Sequence, residues 1–152
     1  MTHLVVESFA SRWRGKGNEK SDTQKFWLEV LSEVLSIILP TQYIEFEKRV
    51  ELEHVSFIDA YISSTRTIIE QKSYGVNLEK AVPQSDGQLM TPFQQAKRYS
   101  DWLPDSERAR WIVVCNFQSS ECMTWKSRKP ILKLCCLRTW PGIGKSCPSS
   151  LM

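Results

Sequence analysis

The stretch FIDAYISSTRTIIEQKS, residues 57–73, constrains this chain more than any other. Two apolar, β-branched runs flank a small polar turn, so both read as strands of one hairpin. Yet Asp59 stands in the first run, and Glu70 and Lys72 stand in the second. A charge on the inner face of a sheet is costly unless it is paired or holds a metal. A turn centred between Ser64 and Thr65 sets Asp59 opposite Glu70 and Tyr61 opposite Ile68. Directly opposed side chains have Cβ atoms roughly 4.5–5.5 Å apart, and like charges there repel. Glu70 and Lys72, two apart on one strand, share that face. The register therefore predicts two carboxylates converging on one point with an ammonium beside them. Two carboxylates with main-chain and water oxygens suit a hard cation such as Mg2+. The lysine can then orient or deprotonate a water, or stabilise charge on a phosphate. The same residues would also suit a solvated strand face with Lys72 as an ordinary ion-pair partner. The isoleucines at 58, 62, 68 and 69 favour the buried version, because they make both strands apolar around the charges.

The rest of the chain supplies a frame for this hairpin. SDTQKFWLEVLSEVLSII places apolar residues at helical spacing behind Ser21 or Asp22 as N-cap, which predicts a helix from Asp22 to Ile38 ended by Pro40. QYIEFEKRVELE alternates apolar and charged residues, the mark of a half-exposed strand. After the hairpin comes a Gly/Pro/Asp-containing loop, and then Thr91-Pro92 opens a second helix, PFQQAKRYSDWL. On it Gln95 and Tyr99, four apart, can point at one place. RWIVVCNF has too many consecutive apolar residues to face water and reads as a fully buried strand. The predicted order is helix, three strands, helix, strand: an α/β (α+β) fold on a mixed central sheet.

Length and composition fit one ordinary domain with a real core, at 152 residues, 41% hydrophobic and 24% charged. No apolar run is long enough to span a membrane, and the N-terminus lacks the pattern of a signal peptide, so a cytoplasmic chain is expected. The net charge of +3 is unevenly spread: residues 119–152 carry six lysines and arginines against Glu121 alone. Four of the five cysteines also lie there, which without an export signal reads as thiols and not a disulfide framework.

Asp59, the triplet Glu70-Gln71-Lys72 and the Gln95-x-x-x-Tyr99 helix resemble the PD-(D/E)xK nuclease superfamily, in particular its Gln-x-x-x-Tyr branch. More closely, RWRGKGNEKSDTQKFWLEVL, IEFEKRV, FIDAYISSTRTIIEQKS and MTPFQQAKRY resemble the N-terminal nuclease domain of MmeI-type restriction–modification enzymes. Those enzymes join a nuclease to an adenine methyltransferase and a target-recognition domain in one chain. The resemblance runs from Arg12 to Gln118, with Ile58 standing where the superfamily name expects proline. It implies a PD-(D/E)xK-like core and a Mg2+-dependent endonuclease (Mn2+ as substitute) acting on double-stranded DNA. Asp59 and Glu70 would be metal ligands with a third contact from the Gln71 carbonyl, and Lys72 would be catalytic. Gln95 and Tyr99 would line the site or face the DNA. The glycine-flanked stretch RWRGKGNEK offers Arg12, Arg14 and Lys16 for phosphate contacts, and Trp13 would stack or merely pack. The alternatives are a non-catalytic interaction or DNA-binding module held by ion pairs, and an inactive gene fragment.

After Gln118 the character changes. The cysteine spacings match no zinc pattern, and GIGKS fails as a phosphate loop because Thr139 occupies its first glycine position. ECMTWK, read one nucleotide earlier, gives a line of the form Arg-Val-Tyr-Asp-Met-Glu, which resembles how the family continues. Residues 1–118 are therefore expected to form the nuclease domain and 119–152 a frameshifted, non-native tail, with the methyltransferase and recognition domains missing.

Overall fold

A computed structural model describes residues 3–118, 120–124 and 132–134 of the chain. Helix α1 (His3–Trp13) precedes α2 (Glu19–Glu29), which runs on into a π-helical turn at Val30–Val34 and then a short α3 (Pro40–Tyr43). Strands β1 (Glu45–Glu51), β2 (Val55–Ile62) and β3 (Thr67–Gln71) follow. A small hairpin of β4 (Val82–Pro83) and β5 (Leu89–Met90) leads to α4 (Pro92–Trp102) and β6 (Trp111–Cys115). Two further strands, β7 (Ser120–Thr124) and β8 (Leu132–Leu134), extend the sheet. The sheet order is β1-β2-β3-β6-β7-β8. Only the β3–β6 pairing is parallel, bridged by the crossover through α4, and the other neighbours are antiparallel. The fold is the expected mixed α/β arrangement.

Where the helices depart from expectation, local chemistry explains it. The N-cap of α2 is Asn18 and not Ser21 or Asp22: its side chain accepts from the N–H groups of Lys20 and Ser21. Asp22 instead reaches back to the Asn18 N–H at 2.8 Å, so both ends of the first turn are satisfied. The predicted helix from Asp22 to Ile38 is corrected to Glu19–Glu29 followed by the π-turn, where the Leu35 N–H bonds the Val30 carbonyl at 2.9 Å. Pro40 opens α3 at its first turn, where its missing N–H costs nothing. Helix α1 is held by burying Val6, Phe9 and Trp13.

The two faces of the sheet build two cores. On one, α1, α2 and the π-turn bring Phe9, Trp13, Phe26 and Leu31 onto Ala60, Ile62 and Ile69, joined by Phe117 from just after β6. Phe26 meets Trp13 and Phe117 edge-on, and Trp13 stacks on Phe117. On the other, α4 covers Ile58, Tyr61, Ile68 and Ile112 with Ala96 and Leu103. A strand alternates faces strictly, so Phe46 and Val50 should face one way, as should Ala60 and Ile58. They do not: Phe46 and Ala60 belong with the first core, Val50 and Ile58 with the second. Both strands change face between these residues, at Glu47, which has φ +51°, and its opposite number Asp59. The pairing skips Glu47 and Asp59, though Phe46↔Ala60 and Lys48↔Ile58 on either side are in register. Asp59 thus sits where the sheet is bent and its ladder is open.

The strands β7 and β8 lie within residues 119–152, the stretch expected to be out of frame. Most of that stretch lies outside the described residues, as do all of its side chains.

Candidate active site

The hairpin register is the predicted one, with Tyr61↔Ile68 and Ala60↔Ile69 paired. The ladder stops there, one pair short of Asp59 and Glu70. The Gln71 N–H, released from the ladder, donates to Asp59 Oδ2 at 2.7 Å. Glu70 is 1% exposed. Its Oε1 accepts from Lys72 Nζ at 2.7 Å, while its Oε2 is buried with no hydrogen-bond partner. Asp59, Glu70 and Lys72 therefore converge.

Their protonation follows from burial. Desolvation first, then the charge of Asp59, pushes the Glu70 carboxyl up to about 8 against the pull of Lys72. Desolvation also raises Asp59, to about 6, although the Gln71 N–H and Lys72 oppose it. Burial pulls Lys72 down, but the carboxylates of Glu70, Glu19 and Asp59 outweigh it and hold the ammonium well above its ordinary value. Of the roles open to Lys72, deprotonating a water is therefore the one its environment disfavours. It stays a cation.

Gln71 is fully buried, and its side chain points to the opposite core. Its Oε1 accepts from the Trp27 indole at 2.8 Å and its Nε2 donates to the Lys72 carbonyl at 3.0 Å. The Lys72 N–H in turn donates to the Cys115 carbonyl at 2.7 Å. The main chain that carries Glu70 and Lys72 is pinned from both sides.

Helix α4 presents Gln95 and Tyr99 together, with Gln95 Nε2 donating to the Tyr99 hydroxyl at 3.0 Å. A capping box between Thr91 and Gln94 fixes the helix start. Burial raises the Tyr99 phenol, and beyond the opposing bond from Gln95 the charges of Glu70 and Asp59 raise it further, so the ring lies within their field.

The basic stretch makes contacts of its own. Arg12 is engaged by Glu33 at 2.5 Å, Glu29 at 3.2 Å and Ser8 at 3.1 Å. Trp13 packs in the core and donates to Glu29 at 2.8 Å. Arg14 is exposed, and Lys16, also exposed, lies over the Trp13 ring at 5.8 Å. The glycine of that loop has a packing role: Gly17, at φ +135°, lies so close to Phe117 that a Cβ would fall 2.2 Å from its ring. The Gly17 carbonyl accepts from Tyr74 and the Glu19 N–H donates to Ser73, which ties the start of α2 to the residues after Lys72.

That tie delivers a residue the sequence reading missed. Glu19 Oε1 lies 3.5 Å from Lys72 Nζ, a third carboxylate at the edge of the site. Nothing in its local sequence marks it, because its place depends on Gly17 packing against Phe117. Glu47, facing Asp59 across the break in β1, adds a more distant negative charge.

Among the described residues no three His, Cys, Asp or Glu side chains gather as a metal centre. The donors still fit a hard cation: two carboxylates raised by burial and mutual repulsion, one with a bare buried oxygen, beside the main chain of Gln71. No helix of the described residues is long and apolar enough to cross a membrane.

No curated protein and no solved structure matches the chain. The family described as the MmeI N-terminal domain matches residues 5–134, a range that takes in the whole candidate site and continues through β7 and β8. The chain belongs to the MmeI N-terminal domain family, which makes it a domain of the restriction–modification enzyme context.

Proposed function

We propose that this domain is a Mg2+-dependent DNA endonuclease module that hydrolyses phosphodiester bonds, with Mn2+ as a substitute ion. The observation that carries the reading is the buried Glu70 carboxylate, whose Oε2 has no donor although Asp59 and a charged Lys72 stand beside it. An isolated oxygen of this kind costs on the order of 1–3 kcal/mol, more if charged, unless a ligand completes it. Asp59, Glu70 and the Gln71 carbonyl would hold the ion. When bound, it supplies Lewis-acid polarisation of the phosphate and an acidified water. Lys72, kept protonated, stabilises negative charge developing on the phosphate and does not remove a proton. Tyr99 keeps its phenolic proton, and because its oxygen already accepts from Gln95 that proton is directed to a further acceptor, here a phosphate oxygen. Gln71 and Trp27 hold the strand that bears Glu70 and Lys72 in place.

One observation favours a second reading. Lys72 already bridges Glu70 and Glu19, so the group could stand as a structural ion-pair network in a DNA-binding module without catalysis. Metal binding separates the two. Titration calorimetry with Mn2+ should show a site that Asp59→Ala abolishes and Lys72→Ala retains, while Mg2+-dependent cutting of duplex DNA is lost in both. Absence of any ion binding by the unmodified chain would leave the network reading standing.

A further inference from the structure

The far end of the sheet holds a second charged concavity. A cavity of about 300 Å3 is lined by Arg66, Asp105, Arg108, Ala109 and Arg110. Arg66 ends the β2–β3 turn at φ +52°, and its carbonyl accepts from the N–H groups of Arg110 at 2.8 Å and Trp111 at 3.2 Å. These two hydrogen bonds to one carbonyl oxygen fix the starts of the parallel strands β3 and β6 side by side, so Arg66 and Arg110 flank one opening. The Arg110 guanidinium lies over the Trp111 ring at 5.6 Å. Arg108 bonds Asp105 at 2.9 Å, but its Nε is buried and has no acceptor. Asp105 is 90% exposed and is the one carboxylate among these lining residues. The other acid nearby, Glu107, is already paired with Lys48 at 3.0 Å.

Three guanidiniums against one solvent-facing carboxylate leave a positive excess in a concave site, where the field is focused. A buried guanidinium N–H without an acceptor adds a local deficit of negative charge. Guanidinium forks match the oxygens of phosphate, two donors to two acceptors. We infer that the Arg66–Arg108–Arg110 cavity is an oxyanion site that takes a phosphate group. It is separate from the Asp59–Glu70–Lys72 group. Glu70 lies four residue steps along the chain from Arg66, about 13 Å at roughly 3.3 Å per step, so a phosphate held here is not the one facing Lys72. The phosphate can come from a DNA backbone or from a free phosphate-bearing molecule, and the two sources are distinguishable.

The test uses the full chain, labelled with 15N, in EDTA at fixed ionic strength. Inorganic phosphate should shift the Arg108 Nε–H resonance saturably, and chloride should not. The variant pairs Arg66→Asn with Arg110→Gln, because asparagine tolerates the left-handed backbone at 66. It should melt as the parent does and lose the phosphate response, whereas Glu70→Gln should keep it. Fluorescence anisotropy with a short labelled duplex then identifies the source. A backbone phosphate predicts about tenfold weaker duplex binding by the double variant and a log–log salt slope shallower by about one. Unchanged duplex binding with the phosphate response intact in the parent assigns the site to a small phosphate-bearing ligand. No saturable shift in the parent, or the same shift with chloride, overturns the proposal, and this arm stands even if the double variant fails to fold.

Discussion

Glu70 is the residue on which the local energetics turn. Its folded value of about 8 lies above the ordinary 4.5 of a glutamate, so below about pH 8 the folded chain prefers the protonated carboxyl. The sign follows by linkage: stability from this group is full below about pH 4.5 and is lost as pH rises through about 8. Asp59 acts the same way between 3.8 and about 6. In EDTA, thermal unfolding followed by circular dichroism should therefore show the melting temperature falling from mildly acidic pH to pH 8. Glu70→Gln should flatten much of that decline, and an equal decline in the variant would show that Glu70 is not its source. Gly17 is the second decisive residue. A methyl group at φ +135° would strain the backbone and meet the Phe117 ring, so Gly17→Ala should destabilise by about 2–3 kcal/mol in denaturant melts. Of these residues the sequence displayed the hairpin charges openly, since period-two alternation and a symmetric turn are local rules. It hid Gly17, whose constraint is a ring contributed from residue 117.

At the scale of elements, the start of α4 was readable to the residue. Thr91-Pro92 is an N-cap with proline in the first turn, and the Thr91 hydroxyl accepts from the Gln94 N–H at 3.2 Å as the capping box requires. Thr91→Ala should cost about 1 kcal/mol of stability. Because Gln95 and Tyr99 follow within two turns, the same change should broaden or shift the Tyr99 ring signals in NMR while leaving Trp27 unmoved; an unaltered Tyr99 would mean that tertiary packing alone positions the helix. The N-terminal helices were less legible. The apolar spacing of residues 22–38 predicted one helix, but it does not reveal a π-turn, whose i→i+5 bond keeps much the same buried face. Helix α1 exposes Leu4, so its apolar residues gave no clear stripe until Trp13 and Phe9 were seen against Phe26.

Across the whole molecule, the two cores meet at the bend in β1 and β2, and that bend accounts for the position of Asp59. The sequence gives no local sign of it, because Phe46, Val50, Ile58 and Ala60 fit strict alternation on paper and abandon it only when helices cover both faces. An open ladder with clustered carboxylates destabilises the empty fold, and a bound cation would offset that cost. Binding to the folded state alone raises stability by RT ln(1 + [L]/Kd), about 2.7 kcal/mol at a hundredfold excess over Kd. Mn2+ should therefore raise the melting temperature of the chain in a concentration-dependent way, more at pH 8 than at pH 6, because Asp59 is then ionised and Glu70 about half so. Lys72→Ala should keep or enlarge the rise, since removing a competing ammonium leaves both carboxylates to the ion. Asp59→Ala should start from a higher melting temperature in EDTA, relieved of one like charge, and should gain little from Mn2+. If Asp59→Ala gained as much as the parent, the ion would be binding elsewhere, and the bend would be a feature of packing alone.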